Sequence, residues 1–412
     1  MNCSTSCSSR TQIACGLLVL LVLPACAATA GKTTPGEGAA ARVGSGGSSE
    51  IVVVAPVDKS ALIAVLPIEN LSGGRAPLET IRGLLVSKLR ENGFQLLDDE
   101  ALGEFMQRYR VRNTGGLNAA VSRAIHEETG ADAYLATSLE AYRDSDPAIV
   151  SLISRLVQDG ERSKIVWMDG VSLSAGGHPG FLGLGVVEDP DILLDQATRC
   201  LADSLGRSLR EAGEPIPAAL ANSYYGCNPR ADVVALSSER RGRARHRPRI
   251  IFRSPAIRTD RRYSVAVIPF LNLSHRSHAG KITALHFVKH LIRSAQFTVV
   301  DPGLLREQLL KYRVVMEAGP SLANAEIISS DISLGVDLVF SGTVFDYQDA
   351  VGIPKVEFSL KIIEGGSRQL VWSSRSQNDG EEGVVFFDVG RIYTAHQLAS
   401  DMAWGTVEAL TR

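Results

Sequence analysis

Two stretches of the chain, residues 63–209 and 265–410, carry one pattern of apolar and polar positions twice. Each opens on an apolar run with β-branched residues, Ile63–Ile68 or Val265–Phe270, which reads as a buried strand. An Asn-x-Ser turn follows, at Asn70 and Ser72 or at Asn272 and Ser274. The apolar spacing then changes to three and four. Leu78, Ile81, Leu85 and Leu89 fall on one helical face, with Gly93 where a C-cap belongs, and Ile282, Leu285, Val288 and Ile292 are their counterparts. A short strand, Phe94–Leu97 or Phe297–Val300, ends at Asp98 or Asp301, and a second helix begins shortly after. A third helical stretch, Leu117–Glu128 or Leu322–Leu334, leads to a strand at Ala133–Thr137 or Leu338–Thr343. Two more strands follow, the second holding Trp167 or Trp372, and a helix near Ile192–Leu209 or Tyr393–Leu410 closes each stretch. Strands alternating with helices, followed by a run of strands, predict a mixed α/β fold: two tandem copies of a small mixed-sheet domain with helices packed on one face.

The residues themselves repeat as well as the pattern. IAVLPIENLS from Ile63 answers VAVIPFLNLS from Val265, and FQLLD from Phe94 answers FTVVD from Phe297. Arg108–Val111 answers Lys311–Val314, GADAYLATS from Gly130 answers GVDLVFSGT from Gly335, and Val166-Trp167 answers Val371-Trp372. Five matches in one order, at an offset that drifts only from 202 to 205, identify a duplication. The turn residues Asn70, Ser72, Asn272 and Ser274 are read as structural, because both copies need a turn there. Trp167 and Trp372 end apolar strands and are read as core. Two copies of one fold on one chain are expected to pack through the same surface on each, as a pseudo-twofold pair.

The first residues differ in kind. Arg10 precedes an apolar run from Ile13 to Leu23, about half of the ~20 residues that span a bilayer. Small residues follow, which makes a secretory signal rather than a transmembrane helix. Leu23-Pro24-Ala25-Cys26 reads as a lipobox, with lipid carried on Cys26. The reading divides the chain into a signal peptide (1–25), a flexible tether (26–50), a first repeat (51–212), an arginine-rich linker (213–262) and a second repeat (263–412). The tether is rich in Ala, Gly, Thr and Ser, and its ~24 residues have a mean reach of about 25–30 Å. Lipid anchoring, with Ala27 after the cysteine, predicts a place in the bacterial envelope, at the outer membrane facing the periplasm.

That address changes how the cysteines read. Cys3, Cys7 and Cys15 leave with the signal and Cys26 takes lipid, so Cys200 and Cys227 remain as a candidate disulfide in an oxidising compartment. The alternative is a buried Cys200 and a free Cys227. Residues 240–262 hold ten arginines and, among acids, only Asp260. They read as a solvated linker or as a contact for anionic lipid or an acidic partner. Nucleic acid is not an expected partner of an exported chain. The net charge of −2 gives no global pull toward a polyanion, and the 6% aromatic content does not suggest a stacking surface.

Catalytic constellations are sparse. There is no Walker loop, nucleophile elbow or Rossmann fingerprint, and His126-Glu127 is not completed to a zinc motif because position 130 is Gly130. His275, His278, His286 and His290 lie within sixteen residues, and His286 and His290 are one helical turn apart, a spacing that two ligands of one metal can have. The first copy has no histidine at these places and no acidic partner is visible nearby. The expectation is therefore no metal, no other cofactor and an ordinary polar helix face. In the first copy the glycine-rich stretch Gly176–Val187 presents Phe181, Leu182 and Leu184, a candidate loop for a protein partner.

The opening VAVIPFLNLS, the VVD strand, LGVDLVFSGTV and the late LVW resemble the domain shared by the curli-secretion lipoprotein CsgG, the flagellar lipoprotein FlgO, the penicillin-binding-protein activator LpoB and the N-terminal domain of TolB. The resemblance covers both copies and implies an envelope lipoprotein, not an enzyme, that binds or assembles partners in secretion, surface-appendage or cell-wall synthesis. A CsgG-like channel subunit is the alternative. Such channels need long membrane hairpins, and the inserts at Arg143–Lys164 and Tyr347–Gln369 read as soluble strands instead.

Overall fold

The apolar runs that open each repeat become central strands in the computed structural model of the chain, which describes residues 57, 60–158, 163–175, 189–210, 246–311, 335–349, 352–382, 384 and 391–412. In the first half these are β1 (Leu62–Val65), β2 (Glu69–Asn70), α1 (Leu78–Glu91), β3 (Gln95–Leu96), α2 (Asp99–Arg108), α3 (Ala119–Thr129), β4 (Ala133–Arg143), β5 (Ile149–Gln158), β6 (Lys164–Ser174) and α4 (Pro190–Arg210). The second half adds β7 (Arg249–Arg253), β8 (Tyr263–Val267), β9 (Leu271–Asn272), α5 (Ala279–Ile292), β10 (Phe297–Val299), α6 (Pro302–Lys311), β11 (Leu338–Gln348), β12 (Lys355–Glu364), β13 (Leu370–Asp379) and α7 (Ala395–Thr411). The fold is mixed α/β, with two sheets.

The sheets have one topology. The first runs β3-β1-β4-β5-β6 with β2 beside β4, and the second runs β10-β8-β11-β12-β13 with β9 beside β11. The opening strand is parallel to both neighbours, and the last three strands form an antiparallel meander. Even the irregularities coincide. A bulge falls between Leu139 and Ala141 in β4 and between Val344 and Asp346 in β11. The turns coincide too: Asn70 Oδ1 accepts from the Ser72 amide and hydroxyl at 2.9 and 2.7 Å, and Asn272 Oδ1 from the same groups of Ser274 at 3.1 and 2.7 Å. Side-chain caps start two of the helices, with Asp98 accepting from the Glu100 amide and Asn118 from the Val121 amide.

Packing departs from expectation in three ways. First, helices cover both faces of the first sheet. Leu135, Leu139, Val150, Leu152 and Trp167 pack under α1 and α4. Tyr134, Ala136, Ile153, Val157 and Met168, on the opposite face, join a cluster with Phe105 of α2, Ile125 of α3 and the core of the second half. Second, the halves do not meet as a pseudo-twofold pair. The first half contributes its sheet face, whereas the second contributes α5 and α7, the counterparts of α1 and α4. The contact is head-to-tail, so α5 lies between two sheets and is buried almost throughout. A helix in that position is covered on all sides, and α5 accordingly buries twelve of its fourteen residues where α1 buries four. Third, part of the expected linker is a strand. Residues 213–245 lie outside the described residues, but Arg249–Arg253 forms β7 on the edge of the second sheet beside β13. Ile250, Ile251 and Phe252 favour a strand, and the arginines at both ends mask that preference in a reading by charge.

One ion pair locks the seam at its buried edge. Arg155 of β5 reaches Asp301 at 2.8 Å and donates to the Gly115 carbonyl at 2.6 Å. Asp301 also accepts from the Gly303 amide at 2.7 Å, capping α6, and from the Tyr134 hydroxyl at 3.4 Å. The backbones approach closely here: a Cβ on Gly303 would lie 2.5 Å from the Leu117 carbonyl oxygen. Arg155 is 2% exposed and Asp301 fully buried, whereas Lys361, facing outward at the matching place in β12, is half-buried and unlocked to any such partner among the described ion pairs. Removing one member of a buried pair leaves an uncompensated charge. Arg155→Ala should therefore cost about 3–5 kcal/mol in urea denaturation, against less than about 0.5 kcal/mol for Lys361→Ala.

Candidate functional site

The bulge in β4 decides where the chemistry gathers. Glu140 is the extra residue of that bulge, unpaired in the ladder between Leu139 and Ala141, and a bulge re-aims the side chain it carries. Here it turns a carboxylate into the seam. In β11 the same place holds Phe345, which is partly exposed with the Arg375 guanidinium 4.9 Å over its ring. The Glu140 side chain, 2% exposed, faces His286 of α5 and His396 of α7. Its Oε1 lies 3.6 Å from His286 Nε2, and its Oε2 lies 3.6 Å from His396 Nδ1. Ser151 donates to Oε2 at 3.1 Å.

The surroundings fix His396 but not His286. Asp349 meets His396 Nε2 at 3.0 Å, and the Tyr347 hydroxyl lies 2.9 Å from Nδ1. Glu140 Oε1 and both ring nitrogens of His286 have no hydrogen-bond partner. Burial pushes the Glu140 carboxyl up against the opposing pull of His396 and Lys289. Burial likewise pushes His286 well down, with Lys289 adding to it. Lys289, on the same helix, is itself pushed down to about 8, by burial first and then by Arg293. Asp349 is held low: burial opposes this, but the charge and hydrogen bond of His396 outweigh it.

Two further contacts carry charge across the seam. Lys281 of α5 pairs with Glu69 of β2, and Arg293 at the end of α5 reaches Asp169 of β6 at 2.7 Å. Ser172 of β6 and the α7 cap Thr394 share a hydrogen bond of 2.7 Å.

The residues singled out by sequence fare unequally. His275 and His278 are exposed in the loop before α5. His286 and His290 are buried rather than on a polar face, and they diverge: His290 Nε2 meets the Ser400 hydroxyl at 2.9 Å. The four histidines are thus not one cluster. Trp167 and Trp372 are core. Cys200 is half-buried on α4. Cys26, Cys227, Phe181, Leu182 and Leu184 lie outside the described residues, as does the expected helix Leu322–Leu334. Sequence reasoning missed Glu140, His396 and Asp349. The available signal was ATSLEAY in the first copy, which places a carboxylate inside a strand otherwise apolar.

No family model matches the chain, and no curated protein matches it. Solved structures do. The chain is similar to the PelC dodecamer from Paraburkholderia phytofirmans, at 16% identity over 39% of this chain and 93% of that one, with a TM-score of 0.26. It is similar to the lipoprotein GNA1162 from Neisseria meningitidis, at 18% identity over 28% of this chain and 81% of that one, TM-score 0.24. It is also similar to the LpoB C-terminal domain from Salmonella enterica, at 18% identity over 28% of this chain and 84% of that one, TM-score 0.25.

The cross-seam carboxylates give the joint an acid limit. Burial alone would raise the Asp169 carboxyl, but the charges of Arg293 and Lys289 and the Ser204 hydroxyl hold it below its ordinary value. A group lowered by folding contributes stability above its unfolded pKa, about 3.9 for Asp, and loses it as pH falls through the folded value. Asp169→Asn should therefore destabilise the protein at pH 7, and the gap to wild type should shrink below about pH 4. Urea denaturation of both proteins across that range checks this.

Proposed function

We propose that the chain is a lipid-anchored envelope lipoprotein that acts without catalysis, as a binding or assembly factor for a periplasmic or outer-membrane machine. The lipobox at Cys26 and the motif resemblance support the address. The seam supports the rest. Its titratable residues Glu140, His286, Lys289 and His396 are all within 3% of complete burial. They stand where two repeats join, away from any surface a substrate can reach. The hairpins that a channel subunit would insert in a membrane are instead sheet strands: β5 is buried along almost its whole length, and β12 along most of it.

The observation that carries a binding role is the outer edge of β7. It ends the second sheet, and among the described residues no strand pairs with its far side. Ile250, Ile251 and Phe252 are 45%, 65% and 45% exposed. An open apolar edge is a template for an added strand. Arg249 and Arg253 at its ends favour an acidic segment, and they oppose a second copy, whose edge would bring arginines against arginines. The occupant is an extended acidic segment of an envelope protein. The candidate loop at Phe181, Leu182 and Leu184 is proposed as a second contact.

A photo-crosslinking residue at position 251, installed in the full chain in its native envelope, tests this against the same probe at the exposed Glu79. The reading predicts one adduct at 251 whose crosslinked peptide is extended and acidic, lost in a Phe252→Asp variant that melts like wild type. An adduct only with a second copy, or none above the Glu79 control, overturns it.

A further inference from the structure

We infer that Glu140, His286 and His396 bind a zinc ion that ties the two repeats together across the seam. Each offers one ligand atom, and the three atoms lie within 4.8 Å of one another with all three residues buried. Glu140 turns one oxygen toward each histidine, Oε1 3.6 Å from His286 Nε2 and Oε2 3.6 Å from His396 Nδ1, and both distances are too long for hydrogen bonds. They are close to the about 3.3 Å that separates ligands around a tetrahedral zinc with bonds near 2.0–2.1 Å. The protein therefore leaves Glu140 Oε1 and both His286 nitrogens without a partner in a site closed to solvent. Buried polar atoms in native proteins are satisfied as a rule, and groups that are not mark an ion or water.

The second shell is arranged as a metal site needs. Asp349 accepts from Nε2–H of His396 and orients its ring, with Nδ1 3.6 Å from Glu140 Oε2 and 2.9 Å from the Tyr347 hydroxyl, which a metal would displace from that nitrogen. Ser151 donates to Glu140 Oε2 and orients the carboxylate. Two imidazoles and one carboxylate suit zinc better than magnesium or calcium, which take oxygen ligands. The Tyr347 hydroxyl, 2.9 Å from His396 Nδ1, stands beside the three ligands. The ligands come from β4 of the first half and from α5 and α7 of the second, so the ion closes the joint rather than serving a substrate.

The test uses the full-length chain, extracted in detergent without chelator. Elemental analysis should find about one zinc per chain, and exhaustive chelation should lower the melting temperature by several degrees, restored by zinc alone. Glu140→Gln and His286→Ala should each lose the metal, whereas His275→Ala combined with His278→Ala should keep it. Should the buried variants fail to fold, cobalt(II) added to chelated wild type decides, through the visible absorption of a tetrahedral site. Less than about a tenth of a zinc per chain together with no cobalt absorption overturns the inference. Retention of zinc by folded His286→Ala, or its loss from the His275 and His278 double variant, overturns it equally.

Discussion

A sheet with two apolar faces cannot be left with one of them in water, and this constraint organises the molecule. The first sheet buries one face under α1 and α4. On the other, α2 and α3 cover part, and Ile153, Met168 and their neighbours need a further layer. The second half supplies it with α5 and α7, which at the same time cover Phe340, Phe358 and Trp372 of its own sheet. One helical layer thus serves two sheets. Polar groups that this burial traps must be paired. The seam accordingly holds Arg155 with Asp301, Asp169 with Arg293, Glu69 with Lys281, and the Glu140, His286 and His396 group.

A head-to-tail contact between like units has no inherent end, because each unit keeps one donor and one acceptor surface. The two terminal surfaces here have changed character. Where the first sheet presents Ile153, Arg155 and Met168 to the seam, the second presents Ser359, Lys361 and Ser373. Glu357 and Arg375 add a salt bridge on that second sheet. On the far side, α1 and α4 pair Lys88 with Asp195 and Arg199 with Asp195 near solvent. Apart from Phe345, the residues named on both ends are polar, in contrast with the seam, as a stack of two that stops at two requires.

Much of this was legible in the sequence because it is local. Apolar runs gave the opening strands, the three-and-four spacing gave α1 and α5, and the Asn-x-Ser turns recur with the same hydrogen bonds in both copies. The seam was not legible, because which face of one repeat meets which face of the other depends on surfaces far apart in the chain. Its traces were nonetheless present. α5 carries apolar residues on every side yet holds His286, Lys289 and His290 among them, a combination that fits a helix covered on both sides and paired across the contact. Glu140 interrupts a strand that needed no charge. Counting histidines along the chain grouped His275 and His278 with His286, whereas the true neighbours are 146 residues before and 110 after it. β7 was hidden for a different reason: charge dominated the reading of 240–262, and a five-residue edge strand has little pattern with which to oppose it.

The head-to-tail seam is the central claim, and a disulfide across it tests it most directly. Ser172 in β6 and Thr394 at the start of α7 lie in opposite halves with their hydroxyl oxygens in hydrogen-bond contact at 2.7 Å, which puts cysteines at the two positions within bridging reach of each other. Ser172→Cys combined with Thr394→Cys, oxidised mildly and mapped by mass spectrometry, should give a bond between these two positions within one chain. In a pseudo-twofold arrangement the first sheet would not face α7. Quantitative alkylation of both introduced thiols in the folded, oxidised protein would contradict the account.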